Sequence, residues 1–327
     1  MKAADRLRRA VVTLAIVAAL ADPARAADLD YPRRPVRVLV PYGAGGVGDL
    51  TIRLIADKLG EDLKQPFVIE NRPGAGGIAA MRAVLGAAAD GYTLGEMGNG
   101  QSISMSLFQD LPYDVLKDFA QISLAARYTM LLAVPSASPY RSLEDIIAAA
   151  RRAPGRLTLG AINPGSTQNL SAHLFAQVSG AQFTIVTYRT TPDLVTALLR
   201  RDVDLGFDYY AGFESTIGPD KLRIIATSGE TRDPILSEIP TATESGLPGY
   251  VVTGWNGIAA AAAVPAPIIA ALSAAIRRAL ADPEVVARMR RIGLEAQGST
   301  PEAMHDQMAR EIARWRTVIA KAGLARQ

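Results

Sequence analysis

The glycine-rich segment VRVLVPYGAGGVGDL, from Val36 to Leu50, has the residue types and spacing that most directly suggest a binding chemistry. An apolar run typical of a strand leads into four glycines within six residues, Gly43 to Gly48, and then into Asp49 and an amphipathic helical pattern. Such glycines leave backbone N–H groups unpaired at a helix N-terminus, where the positive end of the dipole favours an anion. The segment is therefore a candidate carboxylate or phosphate site, with Asp49 either capping the helix or contacting the ligand.

The same glycines match the GxGxxG pattern of dinucleotide-binding proteins, with Glu70 ending the next predicted strand. Two observations weigh against a dinucleotide. Asp49 puts a carboxylate where the pyrophosphate would lie, and the histidines, His173 and His305, are not placed as a dehydrogenase base. An exported dinucleotide-binding enzyme is therefore the alternative to an anion receptor.

Two further turns join a predicted strand to a predicted helix and carry hydroxyl and amide side chains. In NPGSTQN, from Asn163 to Asn169, Ser166 or Thr167 can cap the helix, or the turn can form a second anion site. The other turn is YRTTP, from Tyr188 to Pro192. Turns of this kind that converge would hold a small polyanion without a dedicated cation.

The residues that catalysis usually requires are scarce. Two histidines and no cysteine exclude the familiar zinc sites built on these ligands, and there is no GxSxG or triad-like grouping. Asp208, followed by Tyr209, ends a predicted strand and is the carboxylate of its segment that we assign to the site. We expect a protein that is not an enzyme, with no cofactor and no metal.

The elements that must position these residues follow an alternation of short apolar runs and amphipathic stretches, which is typical of parallel sheets covered by helices in an α/β fold. The pattern predicts strands at about 36–41, 66–70, 92–97, 119–125, 129–134, 157–161, 182–187, 203–207, 222–227 and 250–260. It predicts helices at about 49–63, 76–88, 142–152, 167–179, 191–201, 210–217, 265–281, 283–292 and 301–321.

Residues 1–26 have the features of a secretory signal peptide. Basic residues precede an apolar run from Ala10 to Ala21, and an A-x-A site predicts cleavage after Ala26. A chain without cysteine has neither a lipid attachment site nor a disulfide, so we expect a soluble periplasmic protein that is not embedded in the membrane. Removing this segment reduces 35 basic and 32 acidic residues to 30 of each. Such a chain has no net positive charge with which to attract nucleic acid.

The chain is expected to cross between two lobes near Pro135 and again between Gly246 and Trp255. Residues 27–129 with 246–327 would form lobe 1 and residues 130–245 lobe 2, with the ligand between them at the strand C-termini. Trp255 fits hinge or core packing better than a stacking role.

Over nearly all of the mature chain, the sequence resembles the substrate-binding proteins of the tripartite tricarboxylate transporter family, also called the Bug family. The resemblance rests on the collinear motifs VPYGAGGVGD, ENRPGAGG, DGYTL, LPYDVLKDF, VTYRTTPDLVTALLRRDVDLGFD, PTATESGLPGY, GWNGI, PAPII and ADPEV. It implies a two-lobed type II periplasmic binding protein, a monomer that binds a small carboxylate and delivers it to a membrane permease. A receptor that presents its ligand to a sensor kinase stays open as a further alternative.

The resemblance and the turns together give the expected ligand-binding residues. They are Tyr42, Gly43, Ala44, Gly45, Gly46, Val47, Gly48 and Asp49 in the first turn, Ser166, Thr167 and Asn169 in the second, Arg189, Thr190 and Thr191 in the third, and Asp208 with Tyr209.

The chain departs from the family pattern at three places. Val47 and Gly48 stand where a Ser/Thr pair is common, Thr190 stands where glycine is usual, and Tyr209–Tyr210 replaces smaller or amide residues. Fewer donors and two rings would suit a less polar or aromatic carboxylate, so a di- or tricarboxylate and an aromatic carboxylate both stay open as the ligand class.

Overall fold

A computed structural model of the protein describes residues 30–74, 77–162, 165–321 and 323. The predicted signal peptide lies outside these residues, as do Ala75 and Gly76 of the ENRPGAGG motif and Asn163 and Pro164 of the second turn. Within the described ranges, no helix combines the length and the apolar character needed to cross a membrane.

Strands and helices alternate through most of the described chain, as the hydrophobic pattern predicts. The strands are β1 (Val36–Val40), β2 (Phe67–Asn71), β3 (Thr93–Gly98), β4 (Phe119–Pro135), β5 (Thr158–Ile162), β6 (Thr184–Tyr188), β7 (Leu205–Tyr209), β8 (Leu222–Thr227), β9 (Thr253–Ala261) and β10 (Glu295–Ala296). The helices are α1 (Val47–Leu63), α2 (Ile78–Leu85), α3 (Asn99–Leu107), α4 (Leu143–Arg152), α5 (Thr167–Ser179), α6 (Thr191–Arg200), α7 (Tyr210–Phe213), α8 (Ala266–Ala281), α9 (Pro283–Arg291) and α10 (Pro301–Lys321).

The sheet places the candidate turns at the carboxyl ends of parallel strands. Its order is β2-β1-β3-β9-β4-β7-β5-β6, with β8 and β10 also paired to β4. β1 is parallel to β2 and β3, and β5 is parallel to β6 and β7. Because parallel neighbours end at the same edge, the turns after β1 and β3 meet, as do those after β5, β6 and β7.

A single strand, β4, joins the two halves of the sheet. Residues Phe119 to Thr129 pair with β9, and residues Met130 to Pro135 pair with β7 and β8. The expectation of two separate strands, at 119–125 and 129–134, was wrong. The polar residues between these runs stay in the ladder with β9, so the interruption in the hydrophobic pattern does not end the strand.

Separate apolar cores lie in the two halves, and α10 contributes to both. Leu39, Trp255 and Met304 belong to one core, so Trp255 is a packing residue. Phe175 and Trp315 belong to the other. The first part of α10 thus packs on the half that holds β1 and β3, and its last turns pack on the half that holds β5 and β7.

The two-residue strand β10 was not expected from the sequence, and other differences from the predicted elements lie near the site. Helix α3 was not expected, and α1 begins at Val47, two residues before the predicted start at Asp49. The predicted helix at 210–217 is the short α7 followed by a 3₁₀ turn at Glu214–Thr216.

Candidate functional site

The first turn presents its backbone to solvent. Gly43, Ala44, Gly45 and Gly46 are exposed, and Gly46 precedes α1 with an extended backbone and no side-chain cap. Gly45 has φ +83°, the left-handed region that favours glycine. Among the described residues, the first amides of α1, those of Val47, Gly48 and Asp49, have no hydrogen-bond partner. Val47 is half-buried and Gly48 and Asp49 are buried, so these N–H groups are unpaired donors next to the exposed turn.

Asp49 organises this turn from below. It is the third residue of α1 and not its N-cap, and it is 1% exposed. Its Oδ2 accepts from the Gly45 N–H at 2.8 Å and from Nε of Arg53 at 2.9 Å, and its Oδ1 accepts from Nδ2 of Asn71 at 2.9 Å. Burial alone would raise the pKa of Asp49, but the hydrogen bonds from Arg53, Gly45 and Asn71 lower it. The carboxylate is thus ionised, and both of its oxygens accept hydrogen bonds from groups of the protein itself.

The second turn is built in the same way. Gly165 has φ +76°, and its N–H donates to Oδ1 of Asn169, the third residue of α5, at 3.0 Å. Ser166 is the N-cap, because its Oγ accepts from the Asn169 N–H at 3.1 Å and donates to the Ile162 carbonyl. Within the described ranges, the amides of Thr167 and Gln168, the first two of α5, have no partner.

The third turn is capped differently. Thr190 is the N-cap of α6; its Oγ1 accepts from the Asp193 N–H at 3.3 Å and donates to Oδ2 of Asp193 at 2.7 Å. Arg189 and Thr190 are exposed, whereas Thr191 turns its hydroxyl inward. With Thr190 used as a cap, Thr191 is the residue through which this turn connects to the rest of the site.

Asp208 holds the second and third turns together. It is 3% exposed; its Oδ2 accepts from Oγ1 of Thr191 at 2.5 Å and its Oδ1 from Nε2 of Gln168 at 3.0 Å. The Tyr209 N–H also donates to Oδ1 at 2.8 Å. Burial raises the pKa of Asp208, opposed by these three uncharged donors. Unlike Asp49, this carboxyl has no cation among its partners.

Three tyrosines connect the first turn to β7: Tyr42 in the turn, Tyr128 on β4 and Tyr209 at the end of β7. The rings of Tyr128 and Tyr209 meet edge to face, with centroids 4.6 Å apart, and a Cβ at Gly254 would collide with Tyr128. The Tyr42 hydroxyl lies so close to Gly100 of α3 that a Cβ there would overlap it. Desolvation of the hydroxyl is the main reason that the pKa of each tyrosine is raised, so all three are neutral phenols, although Tyr42 as a whole residue is 38% exposed.

Glu96 on β3 was not expected at the site. It is 1% exposed, and a Cβ built on Gly48 would lie 3.1 Å from its Oε1, so its carboxyl lies under the first turn of α1. Burial raises the pKa of Glu96 to about 8, and the Asn256 amide offsets part of that rise. A single acidic residue in an apolar strand does not reveal in the sequence which neighbours surround it.

Two structural groupings therefore contain most of the expected residues. The first turn lies with Glu96 and the tyrosines, and Asp208 joins the second and third turns. Tyr209 links the groupings, because its ring meets that of Tyr128 and because the Thr167 side chain lies near enough to lower the pKa of its phenol; Thr167 is 6% exposed. Tyr210 packs against Gly293, so only one ring of the Tyr209–Tyr210 pair lies in this region.

The dinucleotide alternative is weakened by the same contacts. Glu70, which would hold a ribose, is instead paired with Arg37 at 2.7 Å and Arg72 at 2.6 Å. The described residues contain no cluster of three or more His, Asp or Glu side chains arranged for a metal ion.

Comparison with known proteins identifies consistent relatives. The family model for the tripartite tricarboxylate transporter family receptor matches residues 51–324. A UPF0065 protein from the tcbD-tcbE intergenic region of Pseudomonas sp. is 31% identical over 316 residues, covering 96% of this chain and 94% of the relative. Protein BugT of Bordetella pertussis is 29% identical over 320 residues, covering 97% and 98%.

Solved structures agree with this fold over nearly their whole length. R. palustris Rpa4515 with adipate is 33% identical with a TM-score of 0.83, covering 90% of this chain and 99% of that one. The periplasmic binding protein BugD is 28% identical with a TM-score of 0.81, covering 91% and 100%. MatC (Rpa3494) from Rhodopseudomonas palustris with bound malate is 31% identical with a TM-score of 0.78, covering 88% and 100%. The predicted two-lobed fold of periplasmic binding proteins is confirmed.

Proposed function

Because this chain belongs to the tripartite tricarboxylate transporter receptor family, we propose that it is a periplasmic receptor that binds a small carboxylate and delivers it to the permease of such a transporter. It acts by binding and release, without chemical conversion of its ligand. The predicted signal peptide supports export to the periplasm.

The matched first and second turns are the observation that carries this proposal. In each, a left-handed glycine donates its N–H to the side chain of the third helical residue, which fixes the loop ahead of the helix. The first amides of α1 and α5 remain without partners among the described residues. Charge-assisted hydrogen bonds from such amides contribute on the order of 1.5 to 3 kcal/mol each.

Two amide sites suit a ligand with two carboxylates. The related proteins with adipate and with malate support a dicarboxylate as the ligand class. In this arrangement Val47, Gly48 and Thr167 contact the ligand through their backbone, whereas Asp49, Asn169 and Asp208 position the turns. The Tyr128–Tyr209 pair supports an aromatic carboxylate as the second ligand class.

The pairing of β4 supports the two lobes expected from the sequence. We assign residues 27–129 with 246–327 to lobe 1 and residues 130–245 to lobe 2, because β4 changes partners between Thr129 and Met130. The last turns of α10 belong to the sequence range of lobe 1 but pack into the core of lobe 2.

A thermal-shift screen followed by calorimetry tests the ligand class. Adipate, malate and benzoate should raise the melting temperature by mass action, with ~2.7 kcal/mol of added stability at a ligand concentration of 100 Kd. NAD is the control and should have no effect. Stabilisation by NAD together with none by any carboxylate would refute the receptor.

Uptake measurements test the partner. Cells that lack this protein should lose uptake of the bound carboxylate and regain it when the protein is supplied again. Cells that lack the permease should not take up the carboxylate even when this protein is present. A transcriptional response to the carboxylate that needs the protein but not the permease would instead identify a sensor kinase as the partner.

A further inference from the structure

A second buried carboxyl group lies under the amides that the proposed ligand would use. Oε1 of Glu96 is 3.1 Å from the position of a Cβ on Gly48, the second residue of α1. Its Oε2 is fully buried and has no hydrogen-bond partner among the described residues. The carboxyl therefore reaches the first turn of α1 with one oxygen unused.

Among the residues that the structure describes, the groups that face Glu96 from the surrounding elements include no cation. Tyr42 and Tyr128 lie close enough for an ionised Glu96 to disfavour their ionisation, and Asn256 lies beside it on β9. Both amide atoms of Asn256 are buried and make no hydrogen bond of normal geometry among the described residues, so Asn256 acts on the pKa of Glu96 only as a nearby polar group. Arg53, the cation near this turn, is bound to Asp49.

An ionised Glu96 and a ligand carboxylate would compete for the same helix N-terminus. The first turn of a helix carries the equivalent of about half a positive charge. Two carboxylates on either side of that turn repel each other, and in a buried site one of them then keeps its proton. In water the carboxylic acid of such a ligand has a pKa of about 4, like that of a free Asp or Glu side chain, which is far below the pKa of the buried Glu96. The proton therefore remains on Glu96.

We propose that Glu96 determines binding at this site: a ligand carboxylate binds at the first turn of α1 only when Glu96 is the neutral acid, so that binding is linked to retention of its proton. This inference rests on the proposed function. It adds a specificity-determining residue, which favours an ionised carboxylate on the ligand and a protonated one on the protein.

Calorimetry with adipate and with malate from about pH 6.5 to about pH 9.5 tests the link. With half-ionisation of Glu96 near pH 8, wild-type affinity should fall about 30-fold from pH 7 to pH 9.5, because ionised Glu96 must take up a proton before the ligand binds. Glu96→Gln keeps a neutral side chain of the same shape, and its affinity should stay constant over this range.

Glu70→Gln is the matched control. It removes a carboxylate from the adjoining strand β2, where Arg37 and Arg72 keep the pKa of Glu70 low. This variant should retain the wild-type pH dependence. Calorimetry at about pH 8.5 in two buffers of different ionisation enthalpy should also reveal proton uptake on binding to wild type and none on binding to Glu96→Gln.

The possible outcomes separate this inference from the proposed function. If the affinity of wild type is constant up to about pH 9.5, the role of Glu96 is overturned. The same holds if the affinity of Glu96→Gln falls as much as that of wild type, as it would if Asp208 were the titrating group. If neither adipate nor malate nor any other carboxylate binds at about pH 6.5, the proposed function fails and the inference with it. ¹³C NMR of the Glu96 carboxyl gives a readout without substitution: adipate should move its titration midpoint to higher pH, and an unmoved midpoint contradicts the link.

Discussion

The backbone N–H of Gly45 donates to Oδ2 of Asp49 at 2.8 Å, which ties the exposed glycine turn to the third residue of the helix that follows it. The bond between Gly165 and Asn169 in the second turn is its counterpart at 3.0 Å. One turn uses a carboxylate and the other an amide for the same task. An acceptor oxygen at this position, and not its charge, is therefore what the turn requires.

Replacing Asp49 tests that requirement. Asp49→Asn keeps an acceptor for the Gly45 N–H and removes a negative charge near the ligand, so its affinity for a carboxylate should stay within a few fold of wild type. Asp49→Ala removes the acceptor and should weaken binding about tenfold or more, which corresponds to ~1.4 kcal/mol. Calorimetry at neutral pH measures both. Equal loss in the two variants would mean that charge, not geometry, matters.

The left-handed backbone of Gly45 should be required for binding and not only for folding. Gly45→Ala forces an L-residue to φ +83° at a cost of ~1 to 2 kcal/mol, and any movement of the exposed turn that lowers part of this cost displaces the turn from its binding geometry. Gly155→Ala is the control, because Gly155 has φ +74° and open space around it in the turn after α4. Both variants should lose similar stability in urea, and only Gly45→Ala should lose carboxylate affinity.

The hydroxyl of Thr191 should matter for both stability and binding. Thr191→Val leaves Oδ2 of the buried Asp208 without its donor, which should lower the free energy of unfolding by about 1 to 3 kcal/mol and loosen the third turn. Thr191→Ser keeps the hydroxyl and should behave like wild type. Urea denaturation with calorimetry compares them. If Thr191→Val and Thr191→Ser are equally stable, the 2.5 Å contact between Thr191 and Asp208 contributes nothing to the free energy of unfolding.

Glu96 should make the stability of the ligand-free protein fall as pH rises. Burial raises its pKa to about 8 in the folded protein from 4.5 for an unperturbed glutamate, so between these values the folded chain binds more protons than the unfolded chain. Its contribution is complete below about pH 4.5 and is lost towards pH 8, on the order of 1 kcal/mol per pH unit. Glu96→Gln should lack this decline in urea denaturation at several pH values. Parallel curves for the two proteins would contradict it.

The strand-turn-helix units could be predicted because their signals are local. Gly45 and Ser166 lie where an apolar run changes into a helical period, and the turns after β1 and β5 were identified from this change. The sequence also indicated Asp208 as a site residue. It did not reveal that Asp208 joins Gln168 to Thr191, because that role depends on which strands are neighbours.

Helix α3 and Glu96 could not be predicted because their signals depend on tertiary contacts. The α3 sequence NGQSISMSL buries polar residues, including Ser102 and Ser104, and so lacks the apolar stripe that marks a helix. Their hydroxyls are satisfied locally, by the Asn99 and Gly100 carbonyls at 2.8 Å. Burial of polar groups that bond to their own helix is stable but leaves no periodic hydrophobic pattern.

The unbroken course of β4 from Phe119 to Pro135 has a mechanical consequence. A strand paired with β9 along one part and with β7 and β8 along the next does not bend as a flexible linker does, because these ladders hold its backbone on both sides of the register shifts that interrupt them. Twist is the deformation that strands accept most readily. We therefore expect a rotation of one half against the other to change the twist of this shared strand, so that the strand resists the rotation elastically.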